Sequence, residues 1–336
     1  MNNSQTEIST RSKIFVAGHR GLVGSAITRT LQKHGYENLI LKTRQEVDLR
    51  NQEQVSRLFQ AEAPEYVFLA AAKVGGIWAN STLRGDFILE NLQIQTNVIS
   101  AAFKSGVKKF VFLGSSCIYP KLAQQPMKEE ALLTGPLEET NEAYAVAKIA
   151  GVMLCKSLML QYKRPFISLM PTNLYGLGDN YDPENSHVLP GLIRKFHEAK
   201  VKNYKSVTAW GTGTPIREFL YADDLAEAAL FALQNYEEPR HLNVGSGEEI
   251  SIHELSHLIK KCVGFQGEII WDSSKPDGSP RKLMDSTRIN TLGWSAKIRL
   301  EEGIKLAYAD FLSHYEAKSN GLNQATAGQG LGEKSC

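Results

Sequence analysis

Short apolar runs alternate with helix-period segments along most of the chain. KIFVAG precedes SAITRTLQKHG, LILK precedes VSRLFQ, and YVFLAAA precedes a long stretch around Asn91 to Ser105 that leads into KKFVFLGSS. Strands that are apolar at every position suit a sheet covered on both faces, and the segments between them repeat with the 3.6-residue period of helices. With right-handed crossovers this βαβαβ rhythm predicts an α/β fold built on a doubly wound parallel Rossmann sheet. The helix AYAVAKIAGVMLCKSLMLQY is apolar over more than the stripe that faces one sheet, so a second surface has to cover the rest. A homodimer packed through this helix is expected, with deeper burial inside one chain as the alternative.

From about Tyr175 the order becomes irregular, with Gly, Pro and Asn clusters between helices and short strands such as VTAW and EIIW. The expected division is a nucleotide-binding domain over 12–175 with a returning segment near 217–245, and a smaller C-terminal α/β substrate-binding domain over 176–216 and 246–312. The polar ends, 1–11 and 317–336, are expected to be disordered.

Composition narrows the function classes. Of 336 residues, 42% are hydrophobic and 22% charged, and 38 Lys and Arg against 36 Asp and Glu give a net charge of +2. No basic field exists to grip nucleic acid, and no run of 18 apolar residues or signal-peptide pattern is present, so a cytoplasmic protein without nucleic-acid or membrane partners is expected. Cys117, Cys155, Cys262 and Cys336 are far apart, which gives neither a zinc pattern nor a disulfide scaffold, and no metal is expected. Cys155 and Cys262 read as small buried hydrophobes.

The strand KIFVA runs into Gly18, His19, Arg20, Gly21, Leu22, Val23 and Gly24 and then into a helix. In this context the first glycine makes the tight turn, the second lets a pyrophosphate approach the backbone, and the third lets helix and strand pack closely. A dinucleotide is expected here. At the end of the second strand, where a carboxylate would bind the ribose of NAD, stand Lys42, Thr43 and Arg44. Together with Arg20 these cations suit a 2′-phosphate, so NADP(H) is expected, with Asp48 near the adenine.

Tyr144 and Lys148 lie one helical turn apart on one face. Reducing a ketone needs a proton on the new alkoxide as hydride arrives, and a phenol of pKa about 10 serves better when a neighbouring ammonium lowers it. Gly114, Ser115, Ser116 and Cys117 follow the strand KKFVFL, where ligands bind in such sheets. If this segment is extended, Ser115 and Cys117 project to one side. Ser115 then joins Tyr144 at a carbonyl oxygen, and Cys117 sits where a thiol can exchange protons at the acidified carbons.

The stretches GHRGLVG, LAAAKVGG, LGSSCIYP, YAVAK, PTNLYG and WGTGTPIREFLYADD resemble the extended short-chain dehydrogenase/reductases from about Lys13 to Tyr308. The cysteine after SS and the histidine in NSHVLPGLIRKFHEA resemble the branch that epimerises GDP-4-keto-6-deoxy-D-mannose at C3 and C5 and reduces it at C4 with NADPH to GDP-L-fucose. That resemblance implies a bifunctional oxidoreductase and epimerase with one site. Ser115, Tyr144 and Lys148 would serve the C4 oxygen, and Cys117 and His187 would act as the acid/base pair. Leu113, Gly114, Ser115 and Ser116, with Pro171, Thr172, Asn173 and Leu174, would wall the nicotinamide pocket, and Lys148 and His187 would also touch the cofactor. Lys195, Trp210, Arg217 and Asp277 would hold the GDP-sugar. A dehydratase of this type uses an acidic pair where this chain has Ser116 and Cys117. The alternatives left are a sugar-nucleotide 4-epimerase and a non-catalytic NADP-binding regulator.

Overall fold

The computed structural model describes residues 8–327 apart from 184, 185 and 276. In chain order the elements are β1 (Ile14–Ala17), α1 (Leu22–Lys33), β2 (Leu39–Ile40), α2 (Gln52–Glu62), β3 (Tyr66–Leu69), α3 (Ile77–Thr82), α4 (Arg84–Lys104), β4 (Lys109–Leu113), α5 (Glu142–Tyr162), β5 (Phe166–Pro171), β6 (Asn173–Tyr175) and α6 (Val188–Val201). They continue with β7 (Ser206–Trp210), β8 (Ile216–Tyr221), α7 (Ala222–Asn235), β9 (Leu242–Val244), β10 (Glu249–Ser251), α8 (Ile252–Val263), β11 (Glu268–Asp272), β12 (Arg281–Lys282), α9 (Thr287–Leu292) and α10 (Leu300–Ala327).

The large sheet has the order β2-β1-β3-β4-β5-β9, and every pairing in it is parallel. Alternate residues of each strand face opposite layers, which is why the strands read as unbroken apolar runs. Ile14 and Val16 join a core with residues of α1 and α7, while Phe15 and Ala17 join a second core with residues of α2, α4 and α5. A third core, built on α6, α8 and α10, lies under the smaller sheets, in which β8 pairs with β6, β10 and β12, and β7 pairs with β11. Within 217–245, α7 and β9 rejoin the large sheet, whereas β8 belongs to the smaller one.

Helix α5 is clamped by close approach. A Cβ on Gly151 would lie 2.4 Å from the Phe112 ring, and Gln95 of α4 donates a 2.6 Å hydrogen bond to the Ala147 carbonyl. With its preceding turn, α5 is long and apolar enough to cross a membrane by length and composition alone, but it packs on α4 and the sheet. Its excess apolar residues are Val146, Met153 and Leu160, spaced by seven and exposed along one stripe, with Leu89 of α4 also exposed.

Parts of both chain ends expected to be disordered lie within the described residues, and these parts are placed in the fold. Ile8 is buried in the core beside Tyr36, because an apolar side chain this close to β1 has a pocket to fill. Helix α10 continues through Ala327, so 317–327 is helical; extending an existing helix requires no new nucleus. Residues 1–7 and 328–336 lie outside the described residues.

Candidate active site

The carboxyl ends of β1, β3, β4 and β5 open onto a cavity of about 930 Å³. Its floor is the glycine turn. Gly18 has φ +88°, and a Cβ there would lie 2.7 Å from the Ala71 nitrogen; a Cβ on Gly24 would lie 2.0 Å from the Gly18 carbonyl oxygen. Both positions therefore demand glycine. At Gly21 the nearest atom is 3.5 Å away, so this glycine leaves space on the cavity side. No side chain caps α1 at Gly21 and its first turn holds no acid, which leaves the N–H groups of Leu22, Val23 and Gly24 at the cavity wall without such a cap. Such a cradle fits a pyrophosphate.

Lys42 and Arg44 line the far end of this cavity. Lys42 pairs with Glu62 at 3.1 Å, whereas Arg44 makes no ion pair among the described residues. His19 and Arg20 are not on the wall: Arg20 is exposed, and a ring nitrogen of His19 is buried without a hydrogen-bond partner among the described residues. Asp48 reaches the cavity, but its carboxylate is claimed by Arg50 at 2.6 Å, which holds it down at about 2. Arg50 also pairs with Glu90, and Glu90 with Lys73 at 2.6 Å. This network on the cavity wall was not visible in the sequence, because Arg50, Lys73 and Glu90 are far apart along the chain.

At the other end, Leu113, Gly114, Ser115 and Ser116 face Pro171, Thr172, Asn173 and Leu174, with Tyr144, Lys148 and His187 completing the wall. Ser115 ends the extended strand, but Ser116–Ile118 form a 3₁₀ turn instead of continuing it. The Ser115 hydroxyl accepts a 3.4 Å hydrogen bond from the Cys117 nitrogen. The expected extended geometry, with Ser115 and Cys117 side by side, is thus replaced by a turn, because the side chain of Ser115 caps it. Cys117 is 7% exposed and lies behind the cavity wall, among the residues of the second core.

Burial pushes the Cys117 thiol above its ordinary pKa, while the Ser115 hydrogen bond and the charges of Lys282 and Lys148 pull the other way. Lys282 is a group that sequence reasoning missed. It stands in register with Arg217 across β12 and β8, and burial lowers its pKa. Its only sequence signal is a charge beside Asp277 in PDGSPRK.

Lys148 does not lower the Tyr144 pKa as expected. Its ammonium donates a 2.7 Å hydrogen bond to the Leu113 carbonyl and lies 5.7 Å from the centre of the Tyr144 ring. Burial dominates at both groups, raising the phenol and pushing the lysine down to about 8. His187 sits at the start of α6 without capping it, and desolvation holds its imidazole below the ordinary value, so it is neutral at pH 7.

The four residues expected to hold the GDP-sugar lie off this cavity, on the smaller lobe. Trp210 is 62% exposed, so it is not a core residue, and the ammonium groups of Lys195 and Lys275 lie 5.3 and 5.7 Å from its ring centre. Both Asp277 oxygens accept hydrogen bonds from Thr212, each at 2.8 Å, which pins Asp277 to the WGTGT turn. Arg217 donates to the Ile216 carbonyl at 2.8 Å and feels the charge of Asp277. Asp179, a further wall residue that the sequence did not single out, is pushed up to about 7 by burial.

Comparison with known proteins places this geometry in a family. Residues 14–245 match the model of the NAD dependent epimerase/dehydratase family. The chain is 57% identical to GDP-L-fucose synthase 1 of Arabidopsis thaliana, over 92% of this chain and 97% of that one. Among solved structures it is similar to a GDP-L-fucose synthetase from Naegleria fowleri bound to NADP, with TM-score 0.85, 30% identity and coverage of 93% of this chain and 98% of that chain. It is also similar to a GDP-mannoheptose C4 reductase from Campylobacter jejuni with NADP bound, with TM-score 0.83, 43% identity and coverage of 91% and 99%. A glycine turn shaped for a dinucleotide, a Tyr144–Lys148 pair at the same cavity and these likenesses over nearly the whole chain agree: the chain belongs to the NAD dependent epimerase/dehydratase family and, within it, to the GDP-L-fucose synthases.

Proposed function

We propose that this protein converts GDP-4-keto-6-deoxy-D-mannose to GDP-L-fucose with NADPH, by epimerisation at C3 and C5 followed by reduction at C4. The observation that carries this reading is one cavity walled by the glycine turn, Ser115, Tyr144, Lys148 and His187. The glycine turn and Arg44 would hold the cofactor, which supplies a hydride to C4 when bound.

C3 and C5 both flank the C4 carbonyl, so one set of donors at that oxygen serves both inversions. Removing a proton from either carbon sends the electron pair to the C4 oxygen, and hydrogen bonds from Ser115 and Tyr144 stabilise that enolate. Inversion then returns a proton to the opposite face, which needs two groups on two sides of the ring. A neutral His187 at the cavity and a thiol at Cys117 meet this need. Cys117 feels Lys148 on the cavity side and Lys282 on the side of Arg217. A sugar nucleotide with its diphosphate near Arg217 and Lys282 would bring the sugar toward the Lys282 side of Cys117. Tyr144 donates its proton to the C4 oxygen during reduction, and the Lys148 ammonium, held 2.7 Å from the Leu113 carbonyl at the same wall, adds positive charge to the site where negative charge develops on that oxygen.

With the keto sugar nucleotide, one NADPH is expected to be oxidised per GDP-L-fucose formed, read at 340 nm and by chromatography. Cofactor binding without turnover would leave a silent nucleotide-binding protein. A second reading, a plain C4 reductase, is favoured by the position of the Cys117 sulfur behind the cavity wall. It is separated by the stereochemistry of the product at C3 and C5.

Arg44 carries the preference for NADPH in this reading. Losing a charge-assisted contact of about 1.5–3 kcal/mol corresponds to about 10–100-fold in affinity. Arg44→Ala is therefore expected to raise KM for NADPH by that factor and to leave KM for NADH nearly unchanged; an equal effect on both would remove Arg44 from recognition of the phosphate.

The protein is a homodimer through the α4 and α5 faces. The exposed stripe of Val146, Met153 and Leu160, with Leu89 beside it, supports this interface. Met153→Lys is expected to halve the mass found by light scattering, and a monomeric parent protein would refute the interface. A cytoplasmic location fits Cys117, Cys155 and Cys262, which are free.

A further inference from the structure

A buried polar network lies directly behind the catalytic turn. Tyr119 follows the 3₁₀ turn Ser116–Ile118 and is buried, as are His241 and Asn243 of the β9 region. The Asn243 side-chain nitrogen donates to the carbonyls of Met127 at 2.8 Å and Asp285 at 3.2 Å. Its oxygen is thereby left facing Tyr119, whose hydroxyl donates to it at 2.5 Å. A hydroxyl has one proton, so the 2.9 Å contact between the Tyr119 oxygen and His241 Nε2 must be donated by the histidine. Desolvation pushes His241 down to about 4, so the ring is neutral and its Nε2 tautomer is fixed by Tyr119. The Asn243 backbone nitrogen donates to Glu129 at 3.1 Å, which ties the network to the segment opposite.

We propose that Tyr119, held by His241 and Asn243, is a positioning residue that fixes the Cys117 turn for proton exchange at the substrate carbons. The proposal rests on the epimerase reading above and adds a residue group to it. A buried polar network is costly unless every member is satisfied, and a core of this kind could have been built from apolar side chains. The two ends of the turn are held differently. On the upstream side, β4 is paired along its length with β3 and β5, and the Gly114 nitrogen donates to the Leu169 carbonyl at 2.8 Å. On the downstream side the turn ends at Tyr119, and the network anchors this end to β9. Ser115 therefore belongs to the strand end and holds the Cys117 nitrogen from that side, whereas the other end of the Cys117 turn is set by where Tyr119 is held.

The consequence is selective. Tyr119→Phe keeps the ring and removes both hydroxyl contacts. Solvent-deuterium exchange at C3 and C5 is expected to fall about 10- to 100-fold. Hydride transfer measured in reverse, from GDP-L-fucose to NADP⁺, needs the C4 donors and no epimerisation, and is expected to stay within about twofold. His241→Gln still offers an N–H donor and is expected to retain exchange, whereas His241→Leu should behave as Tyr119→Phe. This second pair gives the same comparison if Tyr119→Phe fails to fold. Equal loss of exchange and hydride transfer, no loss of either, or Gln no better than Leu at 241 would overturn the proposal. A parent protein that exchanges no deuterium overturns the activity and the latch together; normal exchange in both parent and Tyr119→Phe overturns the latch alone.

Discussion

Tyr144→Phe is expected to lower NADPH oxidation by about 10²–10⁴-fold, the usual contribution of a positioned proton donor, which corresponds to about 3–5 kcal/mol of transition-state stabilisation. The ring stays packed edge-on against Phe87, at 6.5 Å between centroids and 80° between planes, so the melting temperature should not fall. Binding of NADPH should also persist, since the cradle is built from the glycine turn and from the ends of β3, β4 and β5. The Lys148 ammonium adds a pH signature. Pushed down to about 8, it is charged below that pH and neutral above it, so the reductive rate should decline as the pH rises past about 8. Retained turnover in Tyr144→Phe would move the proton donor elsewhere.

Cys117→Ser is expected to abolish the other half of the reaction. A serine hydroxyl ionises far less readily than a thiol, so deuterium exchange at C3 and C5 should fall by about 10²–10⁴-fold. Reverse hydride transfer from GDP-L-fucose to NADP⁺ should continue, because Ser115, Tyr144 and Lys148 are intact. The substitution is nearly isosteric at a 7% exposed position, so any loss of stability should be small beside the kinetic effect. Exchange at the parent rate would take Cys117 out of the mechanism and leave a C4 reductase. The test is sharp because Cys117 does not line the cavity, so its part in the exchange is decided by the kinetics.

The sheet was legible in the chain because its central strands are covered on both faces and bury every residue, as in IFVA and KFVFL. The glycine turn and the Tyr144–Lys148 pair were legible for a similar reason: each is a local spacing whose geometry follows from the strand or helix that carries it. What was hidden depended on contacts distant in sequence. Lys148 could be placed one turn from Tyr144, yet its bond to the Leu113 carbonyl depends on how α5 lies over β4. Cys117 was read on an extended segment, but the Ser115 hydroxyl caps a 3₁₀ turn there. Asp48 was read near the adenine, but Arg50 takes its carboxylate. Lys282 lies on β12 and Asn243 on β9, strands brought to this region by pairing with β8 and β5 far away in sequence.

Position-resolved deuterium in the product is the most direct measurement. The parent protein, NADPH and GDP-4-keto-6-deoxy-D-mannose are combined in D₂O, and the sugar nucleotide formed is read by proton NMR. GDP-L-fucose carrying deuterium at C3 and C5, with protium from NADPH at C4, is the expected result. A 4-reduced product with the D-manno arrangement and protium retained at C3 and C5 would contradict it.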